Sequence, residues 1–402
     1  MRTGLIAALI LLLSGLTASA QPTQTFVEFI AGFRATALAG GVSPSVYDAA
    51  MSGLTPDPRT PGLVTAQPEF TTPIWDYMDR RVTAQRIARG QAAMAQHAQL
   101  FEMARRDFGV DPYVLAAIWG VETDFGSALG NTDLIRPVVR SLATLVHQRR
   151  TRFVEDQADL IAALRLIERG DGTARTLVGS WAGAIGHLQV NPSNVLAHGR
   201  DGDGDGRVDL HNSLADALAT SAAYLRALGY RPGVDWGFEV EVPQGFDWLL
   251  ADRTQMRPIR FFAERGIMRV GGRQFADLDE PVFLYAPAGA SGPKFLMTQN
   301  YLVFKGYNFS DSYALTLAHL TDRLKGGGPF VTSWPRNTRF PDLAERRAIQ
   351  QALAGLGVYD GAIDGMLGPI TASAYARVQA NRGVVADGFI TRDALRVLGI
   401  SP

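Results

Sequence analysis

Two short stretches of this chain carry residues whose type and spacing can do chemistry. In AAIWGVETDFG, residues 116–126, Glu122 closes an almost unbroken apolar run. An unpartnered carboxylate there is costly, and an apolar setting raises its pKa because the charged form is disfavoured. A carboxylic acid that keeps its proton near neutral pH can protonate the leaving oxygen of a glycosidic bond. The same placement also suits a glutamate that hydrogen-bonds a neighbouring loop. A two-carboxylate glycosidase needs a second acid ~5–10 Å away. Asp124, two residues on, points to another helix face if the helix continues and is not placed by sequence if it has ended; Asp133, on the following loop, could approach. Neither is a convincing partner, so a one-acid mechanism carries weight.

The second stretch is DGDGDGRVDLHN, residues 201–212. Aspartates stand at loop positions 1, 3, 5 and 9 and Gly206 at position 6, the spacing of a calcium loop. Asp201, Asp203 and Asp205 supply hard oxygen ligands, and Arg207 offers its backbone carbonyl. Position 12 is Asn212 rather than a bidentate glutamate, so Asp216 is expected to close the site. Few bidentate ligands imply weak, structural Ca²⁺ binding, on the order of 10⁻⁴–10⁻³ M. No helix is expected before the loop, because NPSNVLAHGR has Pro, Gly and little periodicity. The alternative is a solvated acidic turn. The six histidines show no H-E-x-x-H or H-x-x-x-H pattern, which excludes a zinc hydrolase of that kind.

The elements that position these residues read as mainly helical. Asp111-Pro112 is an N-cap and N1 pair opening a helix through YVLAAIWGVE. Apolar residues recur at helical spacing over 26–40 and 77–108, over 154–168, and over 213–228, where Ser213 is the cap and Gly229 the stop. Short β-prone pieces lie near 238–242 and 282–285. GGGPFVTSWPRNTRFP, 326–341, is rich in Gly and Pro without periodicity and reads as a linker. The fold class is therefore mainly α (α+β): a large helical domain, a linker and a small C-terminal domain.

The 402 residues are 47% hydrophobic and carry no formal net charge, so no overall basic field draws the chain to nucleic acid or anionic lipid. Residues 1–20, MRTGLIAALILLLSGLTASA, have the basic start, short apolar core and A-x-A end of a secretory signal peptide. No later segment is apolar enough to span a bilayer. There is no cysteine, which excludes disulfides and a lipoprotein anchor. These features point to the periplasm.

Together the motifs resemble the membrane-bound lytic transglycosylase B family, glycoside hydrolase family 103. The likeness rests on QPEF at 67–70, FGVDPYVLAAIWGVETDFG at 108–126, SWAGAIGHLQVNPS at 180–193, the aspartate loop and ADALATSAAYL at 215–225. PAGASGPKFLMTQNY at 287–301 and YNFSDSYALTLAHLTDRL at 307–324 continue it. It implies a lysozyme-like helical catalytic domain over 21–325 that cleaves the MurNAc–GlcNAc β-1,4 bond of peptidoglycan glycan strands. Such enzymes leave a 1,6-anhydro end, with Glu122 acting as acid and then as base. By the same resemblance Ser180, Gln189, Tyr307, Asn308, Tyr77 and Tyr224 contact substrate. Val190 and Asn191 replace the family's aromatic and methionine after the glutamine, and His211 replaces a tryptophan. Residues 342–402 resemble the three-helix peptidoglycan-binding type 1 bundle, with Val378 in place of the usual phenylalanine; its role would be tethering. The competing readings are a hydrolysing muramidase and a non-catalytic, calcium-dependent wall-binding protein.

Overall fold

The structure is a computed structural model and describes residues 24–64, 72–149 and 152–400. The expected signal segment and the QPEF motif lie outside the described residues. Helices α1 (Phe26–Ala39), α2 (Pro44–Met51), α3 (Thr60–Val64), α4 (Ile74–Asp79), α5 (Ala84–Gln96) and α6 (Ala98–Phe108) lead to α7 (Pro112–Thr123). The stretch 77–108 is three helices rather than one, with His97 breaking the last two. After α7 come α8 (Val138–His147), α9 (Phe153–Arg169), α10 (Pro192–His198) and α11 (Leu214–Ala227). Then α12 (Ile259–Ala263), α13 (Gln299–Tyr307) and α14 (Asp311–Leu324) complete the helices of the large domain.

α7 is the central rod. Asp111 Oδ1 accepts the Tyr113 N–H at 2.9 Å and Pro112 fills N1, as its sequence dictates. Every residue from Val114 to Gly120 is buried, so the helix is apolar all round and must be enclosed. α5, α6, α11 and α14 enclose it.

A five-stranded antiparallel sheet, ordered β4-β6-β7-β3-β5, flanks the helices. It comprises β3 (Gly237–Glu241), β4 (Arg257–Pro258), β5 (Met268–Arg269), β6 (Pro281–Tyr285) and β7 (Lys294–Met297); a two-residue ladder joins β1 (Arg136–Pro137) to β2 (Val178–Gly179). Phe283 and Phe295 enter the main core. Their neighbours Leu284 and Leu296 pack on the opposite face with Val240, Ile259 and Phe262. This is the two-residue period of a strand. β3 and β6 coincide with the β-prone pieces read from the sequence.

The C-terminal module packs α15 (Leu343–Gly355), α16 (Pro369–Asn381) and α17 (Asp393–Leu398) around Ile349, Leu353, Tyr375 and Leu395. Two buried glutamines organise it alike. Gln350 binds the Asp364 carboxylate at 2.9 Å and accepts the Gly365 N–H at 2.7 Å. Gln379 binds Asp387 at 3.1 Å and accepts the Gly388 N–H at 2.8 Å.

Residues 326–341 lack helix and strand, as expected, but they are strapped to the large domain. The Phe330 ring stacks on buried His319 at 4.0 Å. The Val331 and Thr332 N–H groups each donate to the Glu239 carboxylate at 2.8 Å. Arg336 reaches Asp79 at 2.6 Å, and Trp334 lies 5.8 Å from Trp75. A flexible spacer would make none of these contacts.

Candidate active site

Glu122 sits half-buried in the last turn of α7. The chain then turns sharply: Asp124, Phe125 and Gly126 all have positive φ, at 51°, 58° and 85°. Two consecutive non-glycine residues in the left-handed region are costly and mark a place that the surroundings over-determine. The reason is the Phe125 ring. It inserts where α5 and α7 approach, and a Cβ at Gly90 or Gly120 would come within 2.7 and 2.6 Å of its tip. Two glycines thus clear the space that lets the helix end at this point.

Asp124 is committed elsewhere. Its carboxylate takes Arg89 at 2.6 and 2.7 Å and Arg86 at 3.1 Å. Burial pushes its pKa up, but the two guanidiniums hold it below the usual carboxylate value. Asp133 is exposed beside Arg59.

Two tyrosines, Tyr307 and Tyr313, lie beside Glu122. The Tyr307 hydroxyl donates to the Leu188 carbonyl at 2.8 Å and lies 3.2 Å from Ser221 Oγ. Enclosure of that hydroxyl, and then the charge of Glu122, raises its pKa well above a phenol's usual value. Tyr313 was not singled out in the sequence. It is buried beside Glu122, and burial followed by the charge of the adjacent Glu122 carboxylate raises its pKa strongly. Tyr224 packs against Tyr307 at 5.4 Å and stacks on His198 at 5.5 Å. Tyr77 is buried, with the Arg81 guanidinium 3.5 Å over its ring.

The loop 180–190 is pinned to the end of α7. Thr123 Oγ1 donates to the His187 carbonyl at 2.7 Å and accepts the Gly126 N–H at 3.1 Å. The Trp119 indole donates to His187 Nδ1 at 3.0 Å, which requires a neutral ring. Burial lowers the His187 pKa to about 4, so the ring is neutral at physiological pH. Ser180 closes its own turn, Oγ accepting the Ala184 N–H at 3.2 Å. Gln189 has φ 52° and donates to the Gly186 carbonyl at 2.8 Å. Asn308 ends α13 and accepts the Ser310 N–H at 3.3 Å. Ser180, Gln189 and Asn308 thus make turn contacts, while the Tyr307–Leu188 and Thr123–His187 bonds bring their loops to Glu122.

The aspartate loop lies between α10 and α11. The expectation that no helix precedes it is therefore corrected. α10 is only seven residues, too short to show periodicity, and its start is capped from afar: Asp159 of α9 accepts the Ser193 N–H at 3.1 Å. The carboxylates of Asp201, Asp203 and Asp205 lie within 4.8 Å of one another, and Gly204 and Gly206 make the turns at φ 78° and 89°. Hard oxygens converging in this way suit Ca²⁺. Asp216 stands apart from that cluster. It is buried, and its two oxygens accept the Gly202 and Asp209 N–H groups at 2.8 and 2.7 Å. These bonds tie the ends of the loop together and leave a lone pair on each oxygen.

The sequence profile of the transglycosylase SLT domain matches residues 25–322, about three quarters of the chain. The chain belongs to the transglycosylase SLT domain family. The profile of a putative peptidoglycan binding domain matches residues 343–398, which are the three-helix module. SltB3 from Pseudomonas aeruginosa, solved in complex with NAG-anhNAM-pentapeptide, is 39% identical. The match covers 94% of this chain and 100% of that one with a TM-score of 0.86. Its complex with NAG-NAM-pentapeptide gives 0.87 over 93% of this chain and 100% of that one, also at 39% identity. Membrane-bound lytic murein transglycosylase B of Escherichia coli K12 is 28% identical over 180 residues, 44% of this chain and 48% of that protein, so the match spans about half its length. The Escherichia coli transglycosylase Slt35, solved with calcium, shares the fold at 21% identity and a TM-score of 0.60, over 75% of this chain and 92% of that one. The transglycosylase domain here thus has the lytic transglycosylase fold.

Proposed function

We propose that the chain is a peptidoglycan lytic transglycosylase that cleaves the MurNAc–GlcNAc β-1,4 bond and leaves a 1,6-anhydro-MurNAc end. Glu122 is its single general acid and base. One observation carries this reading: Glu122 stands half-buried among tyrosines while the neighbouring carboxylate, Asp124, is held by two arginines. A lone acid suits a reaction whose nucleophile belongs to the substrate. Glu122 gives its proton to the glycosidic oxygen as the C1–O4 bond breaks. The resulting carboxylate then takes the proton of the muramoyl C6 hydroxyl as that oxygen bonds to C1. No water is consumed. Ser180, Gln189, Tyr307, Asn308, Tyr77 and Tyr224 form the substrate-binding set, with Tyr77 and Tyr224 acting largely by packing.

The loop holds a structural Ca²⁺ through Asp201, Asp203, Asp205, the Arg207 carbonyl and Asp216, whose oxygens also tie the ends of the loop. The N-terminal segment directs the protein to the periplasm. Among the described residues no helix is long and apolar enough to cross a membrane.

Mass spectrometry of muropeptides released from purified peptidoglycan tests the reading. The wild type yields anhydro-muropeptides, and Glu122→Gln lowers turnover by about 10³-fold or more. Reducing ends would make the enzyme a hydrolysing muramidase. Wall binding without any product would leave a scaffold.

A further inference from the structure

The middle of α11 carries a serine where packing alone would call for an alanine. Ser221 is fully buried, and its buried neighbours on the helix include Ala217, Ala219, Ala222 and Ala223. Alanine is the better helix former, and a buried hydroxyl is costly unless it is hydrogen-bonded. We infer that Ser221 is a positioning residue for the Glu122 site: acting through the Tyr307 hydroxyl, it holds Tyr307 and the loop 180–190 in place beside the acid. The inference rests on the function proposed above and adds a residue outside the substrate-binding set.

The geometry orders the protons. The Tyr307 hydroxyl has one hydrogen and lies 2.8 Å from the Leu188 carbonyl, which can only accept. Ser221 Oγ, 3.2 Å from the same phenolic oxygen, is therefore the donor in that contact. The hydrogen bonds run from Ser221 to Tyr307 to Leu188. In a low-dielectric interior the bonds of such a chain polarise and strengthen one another, so the serine tightens a bond that it does not itself make. Leu188 stands between His187, whose carbonyl takes Thr123 Oγ1 at 2.7 Å, and Gln189, held at φ 52°. A non-glycine residue persists in that region only where its surroundings fix it. The loop is thus tied at His187 to the residue after Glu122, and at Leu188 to the tyrosine beside Glu122.

α11 is shaped to deliver this contact. Ser221, Tyr224 and Leu228 recur at three- and four-residue spacing, which is one face of a helix, and all three meet the end of α13. A Cβ at Gly306 would lie 3.3 Å from Leu228, and the Tyr224 hydroxyl donates to the Gly306 carbonyl at 3.4 Å. Ser221 takes the next residue, Tyr307. Leu228 and Tyr224 fix where α13 ends, and Ser221 fixes where its last phenol points.

The test is a double-mutant cycle in the full chain with Ser221→Ala, Tyr307→Phe and both, read as kcat and KM for anhydro-muropeptide release from soluble peptidoglycan strands. Amide hydrogen exchange of residues 185–190, where Ile185 and Val190 exchange N–H···O bonds at 2.8 and 3.1 Å, accompanies it. Ser221→Ala should lower kcat about fivefold, with KM within about twofold and the melting temperature within a few degrees. In the Tyr307→Phe background, where the bridging hydroxyl is gone, the same substitution should cost nothing further. Exchange at 185–190 should quicken in both single variants. An unmoved kcat, an equal loss in both backgrounds, or unaltered exchange overturns the inference. A wild type that releases no anhydro-muropeptides refutes the proposed function instead, and the exchange rates then decide the positioning role alone.

Discussion

At the scale of single residues, the arrangement makes Glu122 depend on Tyr313. A phenol buried against a carboxylate can donate to the charged form of that carboxylate when it acts as base. Hydrogen bonds to charged groups contribute about 1.5–3 kcal/mol. Tyr313→Phe, which keeps the ring, is therefore expected to lower kcat by about tenfold and leave the melting temperature within a few degrees. Unchanged kcat on purified sacculi would remove Tyr313 from the site. Glu122 was legible because a charge at the end of an apolar run has few reasons to be there. Tyr313 was not, because an aromatic on the inner face of an amphipathic helix reads as packing.

At the scale of elements, glycines decide where α7 can end. Gly120→Ala drives a methyl into the Phe125 ring, and overpacking of this kind costs about 1–3 kcal/mol. Gly32 in α1 is exposed, and nothing lies within 4 Å of where its Cβ would be. Gly32→Ala should instead stabilise by about 0.5–1 kcal/mol. Urea unfolding of the two variants should move in opposite directions; a shared sign would contradict the packing described at Phe125. The helices that declare themselves locally, α7 by Asp111-Pro112 and α11 by Ser213, were readable from the sequence. α10 and β7 were not: α10 depends on a cap from Asp159, 34 residues away, and β7 on strands β3 and β6 on either side. For the aspartate loop, 1 mM Ca²⁺ against a dissociation constant of about 10⁻⁴–10⁻³ M should add about 0.4–1.4 kcal/mol. That would appear as a calcium-dependent rise in melting temperature, reversed by EGTA and absent in Asp203→Asn. No rise in the wild type would leave the loop a solvated turn.

At the scale of the whole molecule, His319 makes stability fall with acid. Burial, and then the Arg323 charge, lowers its pKa from 6.5 to about 4, and the ring lies under Phe330. The unfolded chain therefore binds the proton more readily. The contribution is full above about pH 6.5 and is lost as pH falls toward 4, by up to about 1.4 kcal/mol per pH unit. Melting temperatures from pH 4.5 to 7.5 should show a shallower acid slope in His319→Gln than in the wild type. Parallel curves would mean that the ring stays accessible to protons in the fold.

The strap of residues 326–341 also sets where this protein can be cut. A chain trimmed after Lys325, where the helical pattern stops, would strip Phe330 from His319 and Trp334 from Trp75, and leave the Glu239 carboxylate without its two N–H donors. The smallest self-sufficient unit therefore extends past the last catalytic helix. Recombination that exchanges C-terminal modules between enzymes of this kind would have to carry the strap with the catalytic half and find a new acceptor for the Ala290 N–H, which the module's Asp387 carboxylate takes at 2.9 Å. Here the spacer between two modules is a shared part of both, and a graft designed as beads on a string would sever it.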